Sequence, residues 1–105
     1  MSKRESKFQT ELRNEIQEMY PEAIITKLDS QDIQGIPDLI ILKDDKWATL
    51  ECKKEKDSPH RPNQDYYVNK MDGMSFSSFI YPENKEAVLN ELQQTFKSTR
   101  EPLVP

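Results

Sequence analysis

Gly35-Ile36-Pro37-Asp38-Leu39-Ile40-Ile41-Leu42-Lys43-Asp44-Asp45-Lys46-Trp47-Ala48-Thr49-Leu50-Glu51-Cys52-Lys53 is the most informative stretch of the chain. Two apolar runs, residues 38–43 and 46–53, flank a break at Asp44-Asp45, and the pattern predicts a β-hairpin. Asp-Asp is not the favoured pair for a two-residue turn, so a four-residue loop is the alternative. Both connections set Lys43 against Lys46, Leu42 against Trp47, Ile40 against Thr49 and Asp38 against Glu51. Only a bulge would break that register.

Directly opposite residues share a face, with Cβ atoms roughly 4.5–5.5 Å apart. Two carboxylates so placed repel unless a compensating charge joins them. Lys53 lies two residues beyond Glu51 and points to the same side. The remainder of that face is Ile40, Leu42, Trp47 and Thr49. The reading therefore puts a charged trio, Asp38, Glu51 and Lys53, at the end of a buried, mostly apolar face.

Adjacent carboxylates suit a hard divalent cation. Magnesium takes oxygen ligands, keeps several waters and binds through one or two carboxylates. Such an ion relieves the repulsion, acidifies a bound water and polarises a phosphoryl oxygen. Lys53 is placed to orient that water or to meet charge developing on the phosphorus. The trio thus fits metal-assisted phosphodiester hydrolysis. It also fits a plainer arrangement, with Asp38 a turn residue after Pro37 and Glu51 and Lys53 an edge-strand ion pair. An E-x-K triplet is common in a chain that is 32% charged.

On either side of the hairpin the periodicity is clear. Residues 3–20 carry Phe8, Leu12, Ile16, Met19 and Tyr20 on one helical stripe, ended by Pro21. Residues 23–28 form a short β-rich run. Residues 62–72 are expected to be helical, with Pro62 near the start, Gly73 just past the end and Met74 beyond it. Tyr67 and Met71 share a face of that helix. Residues 76–81 read as a strand, and residues 83–97 as a helix with Val88, Leu89, Leu92 and Phe96 inward. The order α-β-β-β-α-β-α implies an α/β fold: a mixed central sheet flanked by helices. Residues 1–97 make one domain and 98–105 a loose C-terminal tail.

The 105 residues include one cysteine, Cys52, and one histidine, His60. A disulfide framework and a Cys/His zinc site are both excluded, and a reducing, cytoplasmic location is the expectation (the host cytoplasm if the protein is viral). No apolar run approaches a membrane span. Fifteen basic against nineteen acidic residues give a net charge of −4, unlike a bulk nucleic-acid coat. A nuclease remains compatible, because a carboxylate metal site adds negative charge locally while basic residues cluster elsewhere.

The first helix offers a fourth acidic group. Glu5 falls at the centre of the stripe direction, Glu15 on its flank and Glu11 more than a right angle away. Ser2-Lys3-Arg4-Glu5 equally fits a capping box. A carboxylate at the mouth of the site satisfies both readings.

The string Gly35-Ile36-Pro37-Asp38-Leu39-Ile40, followed by Leu50-Glu51-Cys52-Lys53, resembles the PD-(D/E)XK nuclease signature. The predicted order is similar to that superfamily's restriction-endonuclease-like αβββαβ core. Ser58, Gln64 and Gly73 are spaced as in its VRR-NUC branch, the virus-type replication-repair nucleases, whose standalone phage members include Holliday-junction resolvase-like enzymes. The resemblance covers nearly all of residues 3–97. It implies Asp38 and Glu51 as metal ligands with the backbone carbonyl of Cys52, Lys53 as the catalytic lysine, and Glu5 completing the acidic set directly or through water. It also implies Gln64 beside the site, touching lysine, water or phosphate. Gln64-Asp65-Tyr66-Tyr67 matches a Q-x-x-Y pattern of some exonuclease branches, although a tyrosine on a helix face is more often core. The Cys52 side chain occupies a variable slot on the opposite face and is read as packing. The implied cofactor is Mg2+, with Mn2+ as a substitute.

Lys54, Lys56, His60 and Arg61 form a basic stretch between the catalytic strand and Gln64, where a phosphate backbone could pass. Lys7, with Lys3 and Arg4, could join it. The alternative is an ordinary solvated loop. The leading expectation is a magnesium-dependent DNA endonuclease, with structure-selective cutting of branched DNA by a homodimer as its natural form. The competing expectations are a non-catalytic nucleic-acid-binding or protein-interaction module on the same fold, and a small regulatory protein that docks a host enzyme.

Overall fold

The computed structural model describes residues 3–97, with side chains from residue 7 onward. The tail expected at 98–105, the Ser2 cap and the Glu5 side chain lie outside the described residues. The elements are α1 (Lys3–Met19), β1 (Ile24–Lys27), β2 (Leu39–Lys43), β3 (Lys46–Cys52), α2 (Gln64–Met74), β4 (Phe76–Ile80) and α3 (Lys85–Lys97). The fold is α/β: one four-stranded mixed sheet with three helices, compatible with an αβββαβ core.

The strands lie in the order β1-β2-β3-β4. Strands β1, β2 and β3 form an antiparallel meander, and β4 returns through α2 to run parallel to β3. The hairpin turn is the two-residue form, with Asp44 at φ 56°. Aspartate tolerates that left-handed conformation better than most residues. The register is the expected one: Lys43 against Lys46, Leu42 against Trp47 and Ile40 against Thr49, with Leu39 against Leu50 the last pair of the ladder.

Alternation along β3 sorts its residues onto two faces. Ala48, Leu50 and Cys52 face the core with Leu39 and Ile41 of β2, all fully buried. Leu12 and Ile16 of α1 and Val88, Leu89, Leu92 and Phe96 of α3 cover them. Helix α2 packs on the other face, which is less completely covered: Thr49 is buried, Ile40 and Trp47 are half-buried, and Leu42 is exposed. The charged trio therefore ends the half-covered face, not the deeply buried one. A single helix of three turns cannot blanket four strands.

Two local expectations are corrected. Met19 is 38% exposed; Tyr20 closes the α1 stripe instead, its ring edge-on to Phe96 at 5.2 Å. The Gln17 side-chain amide then donates to the carbonyls of Tyr20 and Ala23, at 3.2 and 3.0 Å, satisfying groups the ended helix leaves open. Helix α2 begins at Gln64 and runs through Gly73 to Met74. Gly73 is exposed with open space around it, so it does not stop the helix. The stop comes at Ser75, whose hydroxyl bonds the Trp47 carbonyl as the chain joins β4.

Candidate active site

Asp38 sits one position before β2, and Glu51 one position beyond the last β2–β3 pair. The pairing continues past the ladder: Leu28 N–H donates to the Asp38 carbonyl at 2.9 Å, and Cys52 N–H donates to Asp38 Oδ2 at 2.8 Å. The Asp38 and Glu51 carboxyl groups lie close enough to influence each other's ionisation. Two adjacent carboxylates are costly to charge together without a cation.

Burial pushes the Asp38 carboxyl above the ordinary carboxylate range. The Cys52 amide, the neighbouring Glu51 and the positive charges of Lys53 and Lys27 pull against that rise without cancelling it. Glu51 is 3% exposed and Lys53 7%. Charged side chains are almost never buried to that degree unless other groups receive them.

Gln64 is the receiving group. Its Nε2 donates to Glu51 Oε2 at 3.0 Å, and its Oε1 accepts from Lys53 Nζ at 2.7 Å and from Arg61 N–H at 2.8 Å. Two donors at one end and a carboxylate at the other admit only this orientation of the amide. Gln64 is the first residue of α2, so the helix delivers it to the pair. Lys53 Nζ also donates to the Pro59 carbonyl at 3.1 Å and lies 4.0 Å from Glu51 Oε2. Its own N–H reaches the Ile80 carbonyl at 2.8 Å, which carries the β3–β4 pairing one residue further.

The start of α2 is located by a close approach. Gly35 has φ +90°, and a Cβ placed on it would lie 2.6 Å from Asn63 Cβ and 2.8 Å from the Pro62 carbonyl oxygen. Only glycine admits both that dihedral and that contact. Asn63, at φ 70°, then turns the chain into α2. The loop carrying Asp38 and the helix carrying Gln64 are thereby set against each other.

The segment between Lys53 and Gln64 is held at its middle. The His60 ring stacks on Phe79 at 4.1 Å and 17°, and His60 Nδ1 lies 2.7 Å from Asp65 Oδ1. Phe79 is paired with Glu51 in the parallel ladder. His60 thus has a local structural task beyond the phosphate contact expected of it. Beneath α2, Thr49 Oγ1 and Ser77 Oγ are bonded at 2.8 Å, a polar floor between β3 and β4.

Of the expected site residues, Asp38, Glu51, Lys53 and Gln64 come together. The Cys52 side chain is buried in the core on the opposite face. Lys7 and Lys54 line a common cleft, with Phe8, Glu11, Pro82 and Lys85. Lys56 and Arg61 are exposed on the segment before α2. Tyr67 is half-buried, its ring edge-on to Tyr66 at 5.0 Å. Ser58 accepts a bond from the Glu55 N–H and stabilises a turn. Sequence reasoning missed Pro59, which acts only through its carbonyl, and Phe79 and Asp65, which hold His60. It read Gly35 as punctuation without seeing its contact with Asn63.

Among the described residues no group of three His, Cys, Asp or Glu side chains is placed to hold a metal ion. Asp38 and Glu51 are the two carboxylates here that could hold a divalent cation such as magnesium, together with waters. No helix among the described residues is long and apolar enough to cross a membrane. No protein-family model matches the chain, and no curated protein or solved structure matches it.

Proposed function

We propose that the chain is a magnesium-dependent deoxyribonuclease of the PD-(D/E)XK type, hydrolysing phosphodiester bonds as an endonuclease with preference for branched DNA. The observation that carries this reading is the buried Glu51–Gln64–Lys53 bridge beside Asp38. Lys53 and Glu51 form an ion pair at 4.0 Å, bridged by the Gln64 amide, and burying both charges is costly. That cost is explained if both groups are kept for a third party.

In this reading Asp38, Glu51 and the Cys52 carbonyl would hold magnesium, which would supply Lewis acidity and a water of lowered pKa. Glu5 is the further acid of the proposed set. Lys53 has two N–H groups committed, to Pro59 and Gln64, and its third would be the donor for a water or a phosphoryl oxygen at the site. Gln64 positions Lys53 and Glu51 together, so that neither can turn away. A homodimer would place two such sites on two strands.

The test is a cleavage assay on a labelled four-way DNA junction and its matching linear duplex, with magnesium and with EDTA, for wild-type and Asp38→Asn. Magnesium-dependent cutting by the wild-type alone is expected, faster on the junction. Equal cutting of both substrates would remove the branched-DNA preference. No cutting with magnesium or manganese by folded protein would leave a non-catalytic binding module as the better reading.

A further inference from the structure

A cleft of about 450 Å³ opens between α1, the residue after Lys53 and the start of α3, lined by Lys7, Phe8, Glu11, Lys54, Pro82 and Lys85. Lys54 is the chain neighbour of Lys53, and Pro82 is two residues beyond Ile80, whose carbonyl receives the Lys53 N–H. The cleft therefore lies at the same end of β3 and β4 as the acidic cluster, on the side of α1 and α3.

Its chemistry is mixed in a particular way. Lys85 is committed to Glu15 at 2.8 Å. Lys7 and Lys54 are exposed, and among the described residues no carboxylate lies within ion-pair distance of either. Two ammonium groups on one cleft of a chain with net charge −4 favour an anion there. Phe8 and Pro82 add apolar wall. Glu11, one helical turn from Lys7, repels a second phosphate and can accept a hydrogen bond from an amino group. A cleft of 450 Å³ is at the lower end of the ~300–1,000 Å³ range of small-ligand sites. It is large enough to hold one nucleotide.

We infer that this cleft takes one unstacked nucleotide of the DNA strand, its phosphate on Lys7 and Lys54 and its base against Phe8 and Pro82. The inference rests on the nuclease reading for the identity of its ligand. It names the substrate class: DNA with unpaired nucleotides beside the cut, since a base inside a duplex must leave its stack to reach such a site. Stacking of unpaired bases on aromatic side chains above a basic track is how single strands are commonly held.

The experiment uses the full chain in EDTA and a fluorescent 5′-phosphorylated oligothymidylate, followed by anisotropy across a salt series. The Lys7→Ala/Lys54→Ala double variant is expected to bind about tenfold more weakly and with a shallower salt dependence, and Lys→Arg at both positions is expected to restore binding. Both lysines are exposed, and circular dichroism checks that the variants fold. Addition of the oligothymidylate is expected to shift the NMR signals of Phe8, Lys54 and Lys85. Unchanged affinity in the double variant, or shifts confined to other residues, would overturn the inference. Equally tight binding of free thymidine 5′-monophosphate would also overturn it, assigning the cleft to a free nucleotide. A cleavage arm separates the two readings. If blunt and single-strand-tailed duplexes are cut alike and the lysine variants match wild-type, the cleft assignment falls and the nuclease stands. If nothing is cut but the oligothymidylate binds through Lys7 and Lys54, the cleft stands and the nuclease reading falls.

Discussion

Asp38 carries the sharpest consequence at the scale of a single residue. Its carboxyl is held above the ordinary range by burial. An acid raised in the folded state favours folding while it is protonated, and that contribution is lost as pH rises through the raised folded value. At neutral pH without metal, the charged site is therefore a liability. Asp38→Asn is expected to melt at a higher temperature than wild-type in EDTA at neutral pH. The difference should shrink as pH falls toward the ordinary aspartate range, as scanning calorimetry would record. Magnesium should raise the wild-type Tm and leave that of Asp38→Asn nearly unmoved. In the cleavage assay, Asp38→Asn and Glu51→Gln are each expected to lose at least ~100-fold in rate. A variant that keeps wild-type cutting would remove its residue from the proposed site. Lys53→Met keeps much of the side-chain length but removes the donors to Gln64 and Pro59. It should cost about 1–3 kcal/mol in urea unfolding, for acceptors left buried without a donor, and abolish cutting.

Among the elements, α2 and the loop before β2 depend on each other through Gly35. Gly35→Ala introduces a Cβ into the Asn63 backbone and side chain at a φ of +90°. Neither the loop nor the helix start can relax without moving Asp38 or Gln64. The expected cost is about 1–3 kcal/mol of stability, read from the urea midpoint, with a fall in cleavage rate at substrate saturation. Gly73→Ala offers the contrast within the same helix. Its site is open and helical, so it should be neutral or stabilising by up to ~1 kcal/mol. If Gly35→Ala and Gly73→Ala behaved alike, the contact between loop and helix would not matter as described. The β-hairpin was readable because its alternation and short break leave one register. The ends of α2 were not, because Gly73 has the composition of a stop while the stop is made by Ser75 reaching across to Trp47.

Across the whole molecule, the two faces of the sheet do different work. The α1/α3 face is a closed apolar core, and Leu50, with no exposed surface, lies within it. Leu50→Ala is expected to cost about 2–5 kcal/mol by calorimetry, and Met19→Ala, on a side chain turned outward, less than ~0.5 kcal/mol. The α2 face is partly open, and there polar groups survive burial because other polar groups meet them: Thr49 with Ser77, and Glu51 and Lys53 with Gln64. The sequence by itself determined the order of strands and helices, the hairpin register, the core residues on α3, and the opposition of Asp38 and Glu51. Each of these depends on spacing along the chain, through the periods of helix and strand. It did not determine which face of β3 is the closed core, the Ala48–Leu50–Cys52 face rather than the Trp47–Thr49 face. The tertiary structure alone decided that α2 covers the charged face, that Gln64 bridges Glu51 to Lys53, that Pro59 caps the lysine, and that Lys7, Lys54 and Lys85 share a cleft. These contacts join residues far apart in the chain or act through backbone atoms, and no local pattern of side chains encodes them.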